Sequence, residues 1–178
     1  MTLLNPEYYE NGATSQRYFT LHYALTYDKR DFNPYPLKGH RLDFDIFKRG
    51  LGLFDDLNQW DVNLSLSQYH KLGKKFFLAN YSSISINLPS EQPYANFNAL
   101  GFRKDLIRGY ELFLIEGPRY ALNRTTLKKR ILSTKKRVGL IPIEQFREIP
   151  LDIYLKTYLD MGYVHNFDEN TNSKRIAD

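Results

Sequence analysis

The feature that most limits what this chain can fold into is an alternation of apolar and polar residues that returns in six separate segments. Successive side chains of a strand point to opposite faces, so such alternation predicts strands with one apolar and one polar face. The first segment, 17–28, sets Phe19, Leu21, Tyr23, Leu25 and Tyr27 against Thr20, His22, Ala24 and Thr26. The second, 40–49, sets Leu42, Phe44 and Ile46 against Arg41, Asp43 and Asp45. In 59–70, Trp60, Val62, Leu64 and Leu66 oppose Asp61, Asn63, Ser65 and Ser67. Segment 74–87 is less regular, since Phe76-Phe77 and Ser82-Ser83 break the pattern, which predicts a bulge there. Segment 119–132 is poorer still and strongly basic near its end. The last, 149–163, places Leu151, Ile153, Leu155 and Leu159 opposite Asp152, Tyr154, Lys156, Tyr158 and Asp160.

The connections order these segments. Residues 27–39, with two prolines and a closing Gly39, read as a turn, and Lys71-Leu72-Gly73-Lys74 as a short link. Asn5 to Gly12 and the polar tail from Phe167 read as loop, and Ile141 to Phe146 as one short helical turn with Pro142 near its start. Residues 88–118 form a long connection with no strong pattern of their own, a kind that is often functional. Short and longer links alternate, as in an all-β, antiparallel up-and-down meander. No internal repeat of fixed period and no long helix is visible.

Which face meets which solvent decides the class. In a soluble barrel or sandwich the apolar face points inward; in a membrane barrel it faces lipid, with aromatic girdles at both interfaces. The 14 Tyr and 12 Phe, beside a mean hydropathy of -0.52, suit strands with two unlike faces better than a helical core. Aromatics sit at strand ends (Phe19, Tyr27, Trp60, Tyr69), and polar residues fill the second face, so the membrane reading is preferred. The alternative is a soluble antiparallel β-barrel or sandwich that binds an apolar ligand within its apolar face. No basic region followed by an apolar run opens the chain, and no apolar run reaches the ~20 residues of a membrane helix.

Chemistry-bearing patterns are few. His22, His40, His70 and His165 lie on separate elements without metal spacing, and there is no Cys for thiol or Cys-metal chemistry. The carboxylate pairs Asp43/Asp45 and Asp152/Asp160 read as the wall of a hydrated lumen rather than as acid–base pairs. A net charge of +5 permits an anionic partner without demanding one. The runs Lys128-Lys129-Arg130 and Lys135-Lys136-Arg137 read as a solvated hairpin end near anionic lipid or polar partners, not as a nucleic-acid patch. Asn63, Asn80 and Asn123 begin glycosylation triplets but lie on strands. With no phosphate loop or nucleophile elbow, the expectation is no enzyme, no cofactor and no metal.

Within the long connection, Leu100 to Glu111 carries a guanidinium (Arg108), a permissive Gly (Gly109) and a ring (Tyr110). Such a trio suits either an ordinary surface turn or a fork of donors set against a carboxylate or carbonyl.

The order of features resembles the BamA/TamA-like outer-membrane β-barrel insertases, the bacterial surface-antigen family. Tyr27-Asp28-Lys29-Arg30-Asp31 followed by Tyr35-Pro36-Leu37-Lys38-Gly39 looks like their strand–periplasmic turn–strand unit. Two strands later, Ile107-Arg108-Gly109-Tyr110 resembles the Arg-Gly-Phe/Tyr signature of the sixth extracellular loop, and Leu159-Asp160-Met161-Gly162-Tyr163-Val164 resembles the Asp-Met-Gly strand that follows. The similarity runs from about Arg17 to Asn166. It implies that the loop folds back into the lumen, with Arg108, Gly109 and Tyr110 anchoring it and Asp160 as the partner on the lumen wall. Two departures stand out. Lys128-Lys129-Arg130 replaces the acidic residue often found on the strand after the loop, leaving a second partner for Arg108 unassigned, and Gly101-Phe102 stands where Gly-Gly is common.

The resemblance also implies a place in the outer membrane of a Gram-negative bacterium. Partners would be outer-membrane lipid, unfolded β-barrel or secreted polypeptide clients and accessory assembly proteins, with no nucleic acid. The mechanism carried with it is lateral opening between first and last strands, without covalent chemistry. Family members have more strands than the six read here, with soluble periplasmic modules before them. Residues 1–178 are therefore expected to be an internal part of a longer membrane β-barrel domain, an incomplete barrel without periplasmic modules.

Overall fold

The computed structural model describes residues 15–52, 57–89, 96, 99–101, 104–137, 148–165 and 174–175. The loop expected at Asn5 to Gly12, the helical turn at Ile141 to Phe146, Phe102 and most of the tail from Phe167 lie outside the described residues. Strands β1 (Thr20–Asp28), β2 (Gly39–Arg49), β3 (Gln59–Lys71), β4 (Phe76–Leu88), β7 (Arg119–Arg137) and β8 (Glu148–His165) form one open antiparallel sheet in the order β1-β2-β3-β4-β7-β8. Between β4 and β7 the long loop contributes β5 (Ala99–Leu100) and β6 (Phe113–Glu116), which pair with each other. β6 also pairs with β9 (Lys174–Arg175), a short piece of strand in a tail expected to be loop.

The register turns the alternation into two surfaces. One cross-strand row runs Leu25–Phe44–Leu64–Ile84–Ala121–Tyr163. The neighbouring row on the other face runs Thr26–Asp43–Ser65–Ser83–Leu122–Gly162. In the central strands β3, β4 and β7 burial follows these rows in the opposite sense to a water-soluble sheet, while the edge strand β1 is exposed on both faces. Ile84 is 47% exposed, while its neighbours Ser83 and Ser85 are 4% and 1% exposed. Among the described residues no second layer covers the apolar face, and the long loop lies against the polar face of the central strands. At the loop end of the apolar face the Lys48 ammonium sits 5.2 Å from the centre of the Trp60 ring, an aromatic with a cation snorkelling beside it.

Two irregularities differ from the sequence expectation. The ladders of β4 run unbroken past Phe76-Phe77 and Ser82-Ser83, without a bulge. Instead Ser82 and Asn80 lie on the apolar face, where Asn80 Nδ2 donates to Thr125 Oγ1 at 2.8 Å and Asn123 Nδ2 to Ser82 Oγ at 2.9 Å. On this otherwise apolar face these polar groups satisfy one another. The bulge lies between Arg130 and Leu132 of β7. That extra residue keeps Leu132 opposite Ile153 on the apolar face after the basic run has spoiled the alternation. It also lets β7 and β8 pair beyond the expected ends, to Arg137 opposite Glu148. Tyr69, grouped with the strand-end aromatics, belongs to the polar face, in the row with Gly39 and Ala79.

The turn from β1 to β2 closes with Lys29 N–H donating to His40 O at 2.9 Å and Asp31 N–H to Lys38 O at 3.0 Å. Asp31 Oδ1 accepts the N–H groups of Phe32 (2.9 Å) and Leu37 (3.0 Å). Burial alone would raise the Asp31 carboxyl, but the N–H groups of Leu37, Lys38 and Phe32 outweigh it and hold it below its ordinary 3.8. A carboxyl lowered in the folded state stabilises the turn above its unfolded value, and that contribution is lost as pH falls through the folded one. Hydrogen-exchange protection of the Leu37 amide should therefore be full at neutral pH and fall only below the ordinary carboxylate range, with Asp31→Asn flattening the profile. Protection that ignores pH in wild type would contradict this role.

Candidate functional site: a loop docked on the polar face

The loop between β4 and β7 meets the sheet's polar face at three levels. Nearest the strand ends, Asn96 O accepts Gln59 Nε2 at 3.2 Å and Asn87 Nδ2 at 3.4 Å. Gln59, Asn87 and Asp61 are fully buried there, and Arg49 Nη2 stands 2.9 Å from Asp61 Oδ2.

At the middle level the loop presents an anion to the wall. Asp105 Oδ1 accepts the Tyr81 hydroxyl at 2.6 Å and Oδ2 the Tyr120 hydroxyl at 3.0 Å. Lys104 Nζ donates to Ser65 Oγ at 3.3 Å, and Arg124 Nη1 to Leu106 O at 3.3 Å. Leu100 joins Tyr120 and Leu122 in a small buried cluster, against which Tyr81, Ile107, Ile115 and Val164 pack. Gly162 makes room for it: a Cβ there would stand 2.5 Å from Ile107 Cδ1 and 3.0 Å from Leu100 Cδ1.

At the lowest level the sign reverses. Arg108 donates to Asp160 Oδ2 through its backbone N–H at 3.0 Å and through Nε at 2.8 Å, while Nη2 donates to Asp160 Oδ1. The fork is therefore bidentate, the strongest arrangement for this pair. Nη1 donates to Thr126 Oγ1 at 2.8 Å, and the guanidinium lies 4.3 Å from the centre of the Tyr158 ring. Thr126 and Tyr158 thus supply the partners that the basic run after the loop does not. The hydrogen bond with Asp160 is the main cause that raises the Arg108 pKa above its ordinary value. The Asp160 side chain is only 3% exposed, against 29% for Arg108.

The other two residues of the trio behave differently. Gly109 has φ 86°, in the left-handed region, and its exposed Cα carries the chain through the turn that brings Tyr110 N–H to Ile107 O at 3.0 Å. Tyr110 does not reach the wall: it is 43% exposed, and its ring stacks on Phe113 at 4.3 Å within the loop.

The remaining candidates fall to wall duties. Arg41 holds Asp43 through Nε (2.9 and 3.0 Å) and Nη2 (2.8 Å), and His22 Nε2 lies 2.9 Å from Asp45 Oδ1. Asp152 is not brought to Asp160; it lies opposite Ser133, at the far end of the sheet from Asp160, which pairs with Arg124. Among the described residues no group of His, Asp and Glu is arranged to hold a metal. Sequence reasoning missed Asp105, Tyr81 and Tyr120. The signal lay in Tyr120 and Leu122, bulky residues set opposite Ser85 and Ser83 on the polar face.

Residues 3–177 match the Omp85 superfamily domain, so the chain belongs to that superfamily. Its members are non-enzymatic outer-membrane proteins, of Gram-negative bacteria and of organelles, that assemble or translocate polypeptides. No curated protein and no solved structure matches the chain.

Removing one partner of a paired, largely buried charge strands the other and commonly costs about 3–5 kcal/mol. Arg108→Ala and Asp160→Ala should each lower the temperature at which the folded barrel loses its compact mobility on unheated gels. The double variant should fall no further than the worse single one. Wild-type behaviour of both single variants would contradict the pairing.

Proposed function

We propose that this chain, as part of an Omp85 superfamily barrel, lies in the outer membrane of a Gram-negative bacterium and helps insert or secrete β-rich polypeptides. The observation that carries the reading is the inverted burial in the central strands: Ile84 and Leu64 stay exposed while Ser83, Ser85 and Asn87 are covered. A water-soluble barrel or sandwich holding an apolar ligand would require the reverse, so the alternative is disfavoured. The apolar face then meets outer-membrane lipid and the polar face lines the lumen.

In this reading Arg108 anchors the loop to Asp160 on the lumen wall, Gly109 turns it, and Tyr110 stiffens its tip against Phe113. The anchor is supported by the bidentate geometry and the burial of Asp160. The work is conformational: the loop fixes the shape of the wall against which client polypeptides are handled, with no covalent step. Accessory assembly proteins belong to the same reading.

The test is reconstitution of the barrel that carries this chain. It should partition into the detergent phase, and in lipid vesicles it should speed the insertion or passage of an unfolded β-rich polypeptide over empty vesicles. Arg108→Ala should slow that step while the protein remains membrane-bound. Recovery as a folded monomer in the aqueous phase, or rates equal to those of empty vesicles, would overturn the proposal.

A further inference from the structure

At the turn end of the polar face, away from the loop, Lys128 and Lys156 stand directly opposite each other on β7 and β8. Like charges set opposite on one face of a sheet repel and destabilise the pair. Both ammonium groups also lie over a single ring, that of Tyr35, at 4.2 Å for Lys128 and 5.0 Å for Lys156. Arg130 adds a third cation, 5.8 Å from the Phe77 ring, and Tyr154 packs against both Phe77 and Tyr35. Lys128 is only 7% exposed.

Cation–π contact offsets part of the cost of burying an ammonium, but it supplies no counter-charge. Among the described residues neither lysine makes a hydrogen bond or an ion pair with a carboxylate. Asp31 bears on Lys128 only at longer range, and its Oδ1 is already taken by the amides of Phe32 and Leu37. A second observation points the same way. The Tyr35 hydroxyl is buried with no hydrogen-bond partner, so an unused donor stands beside two uncompensated cations.

We propose that Lys128, Lys156 and Tyr35 form an oxyanion site at the floor of the lumen that receives the carboxylates of an acidic polypeptide segment. The two ammonium groups supply the charge and the Tyr35 hydroxyl one directed donor. Lipid phosphate is the less suitable source, because these side chains project from the face opposite the one that meets lipid. The inference rests on the lumen reading of the polar face and deepens it, naming the kind of segment the wall recognises.

The measurement is the binding of a fluorescent octa-aspartate peptide to the folded barrel in zwitterionic detergent, followed by anisotropy. It needs no insertion or secretion activity, so its failure is separate from failure of the functional reading. Wild type should bind, more weakly as salt rises, and Lys128→Gln with Lys156→Gln should weaken binding at least tenfold. Lys129→Gln, on the same strand but the apolar face, should leave it unchanged. Thermal midpoints guard against misfolding: the peptide should raise that of wild type and not that of the double variant. The proposal is overturned if wild type does not bind, if the double variant binds as wild type does, or if Lys129→Gln weakens binding equally. It is also overturned if short-chain phosphatidylglycerol binds through these lysines while the peptide does not.

Discussion

Everything in this molecule depends on a sheet whose polar side has to be covered and whose apolar side does not. Backbone pairing across six strands fixes the two faces, because a shift of one residue would exchange them throughout. Once Gln59, Asn87, Tyr81, Tyr120 and Asp160 point to one side, their hydrogen-bonding groups need partners there. The long loop is that partner. It brings a backbone carbonyl to Gln59 and Asn87, a carboxylate to two tyrosines, and a guanidinium to Asp160.

The loop is held by alternating charge rather than by area. An anion, Asp105, and a cation, Arg108, lie three residues apart and meet groups of complementary character on the wall. Shifting the loop by one residue would set Asp105 or Arg108 against the wrong neighbour, so the pair fixes register as well as attachment. The small cluster around Leu100, Tyr120 and Leu122 supplies the apolar contact, and Gly162 allows the close approach. Gly162 and Asp160 share one strand face, two residues apart, and so serve the apolar and the ionic contact together.

Much of this was legible in the sequence, for a physical reason. A period of two is set by the backbone, so β1, β2 and β3 could be read with their faces from Phe19 to Leu66. The pairing of Arg108 with Asp160 came from resemblance, supported by the place of Asp160 on a polar face. What could not be read depends on three-dimensional neighbours. Ser82 looked like a break in β4, yet its oxygen is satisfied by Asn123 across the ladder. The bulge near Leu132 follows from what Ile153 offers on the next strand. Thr126 and Tyr158 as partners of Arg108, and Asp105 as a second point of contact with the sheet, required knowing where the loop lands. Tyr110, part of the signature, packs on its own loop because Gly109 turns the chain away from the wall.

In the proposed membrane arrangement the face bearing Leu64 meets lipid and the face bearing Asn63 does not. Trp60 is the chain's one tryptophan, so in a Trp60→Phe background a single new reporter can be placed on either face. In vesicles of lipid with brominated acyl chains, fluorescence of Leu64→Trp should be strongly quenched and that of Asn63→Trp little changed. Stronger quenching of Asn63→Trp, or equal quenching at both positions, would contradict the assignment of faces on which the loop and its anchors rest.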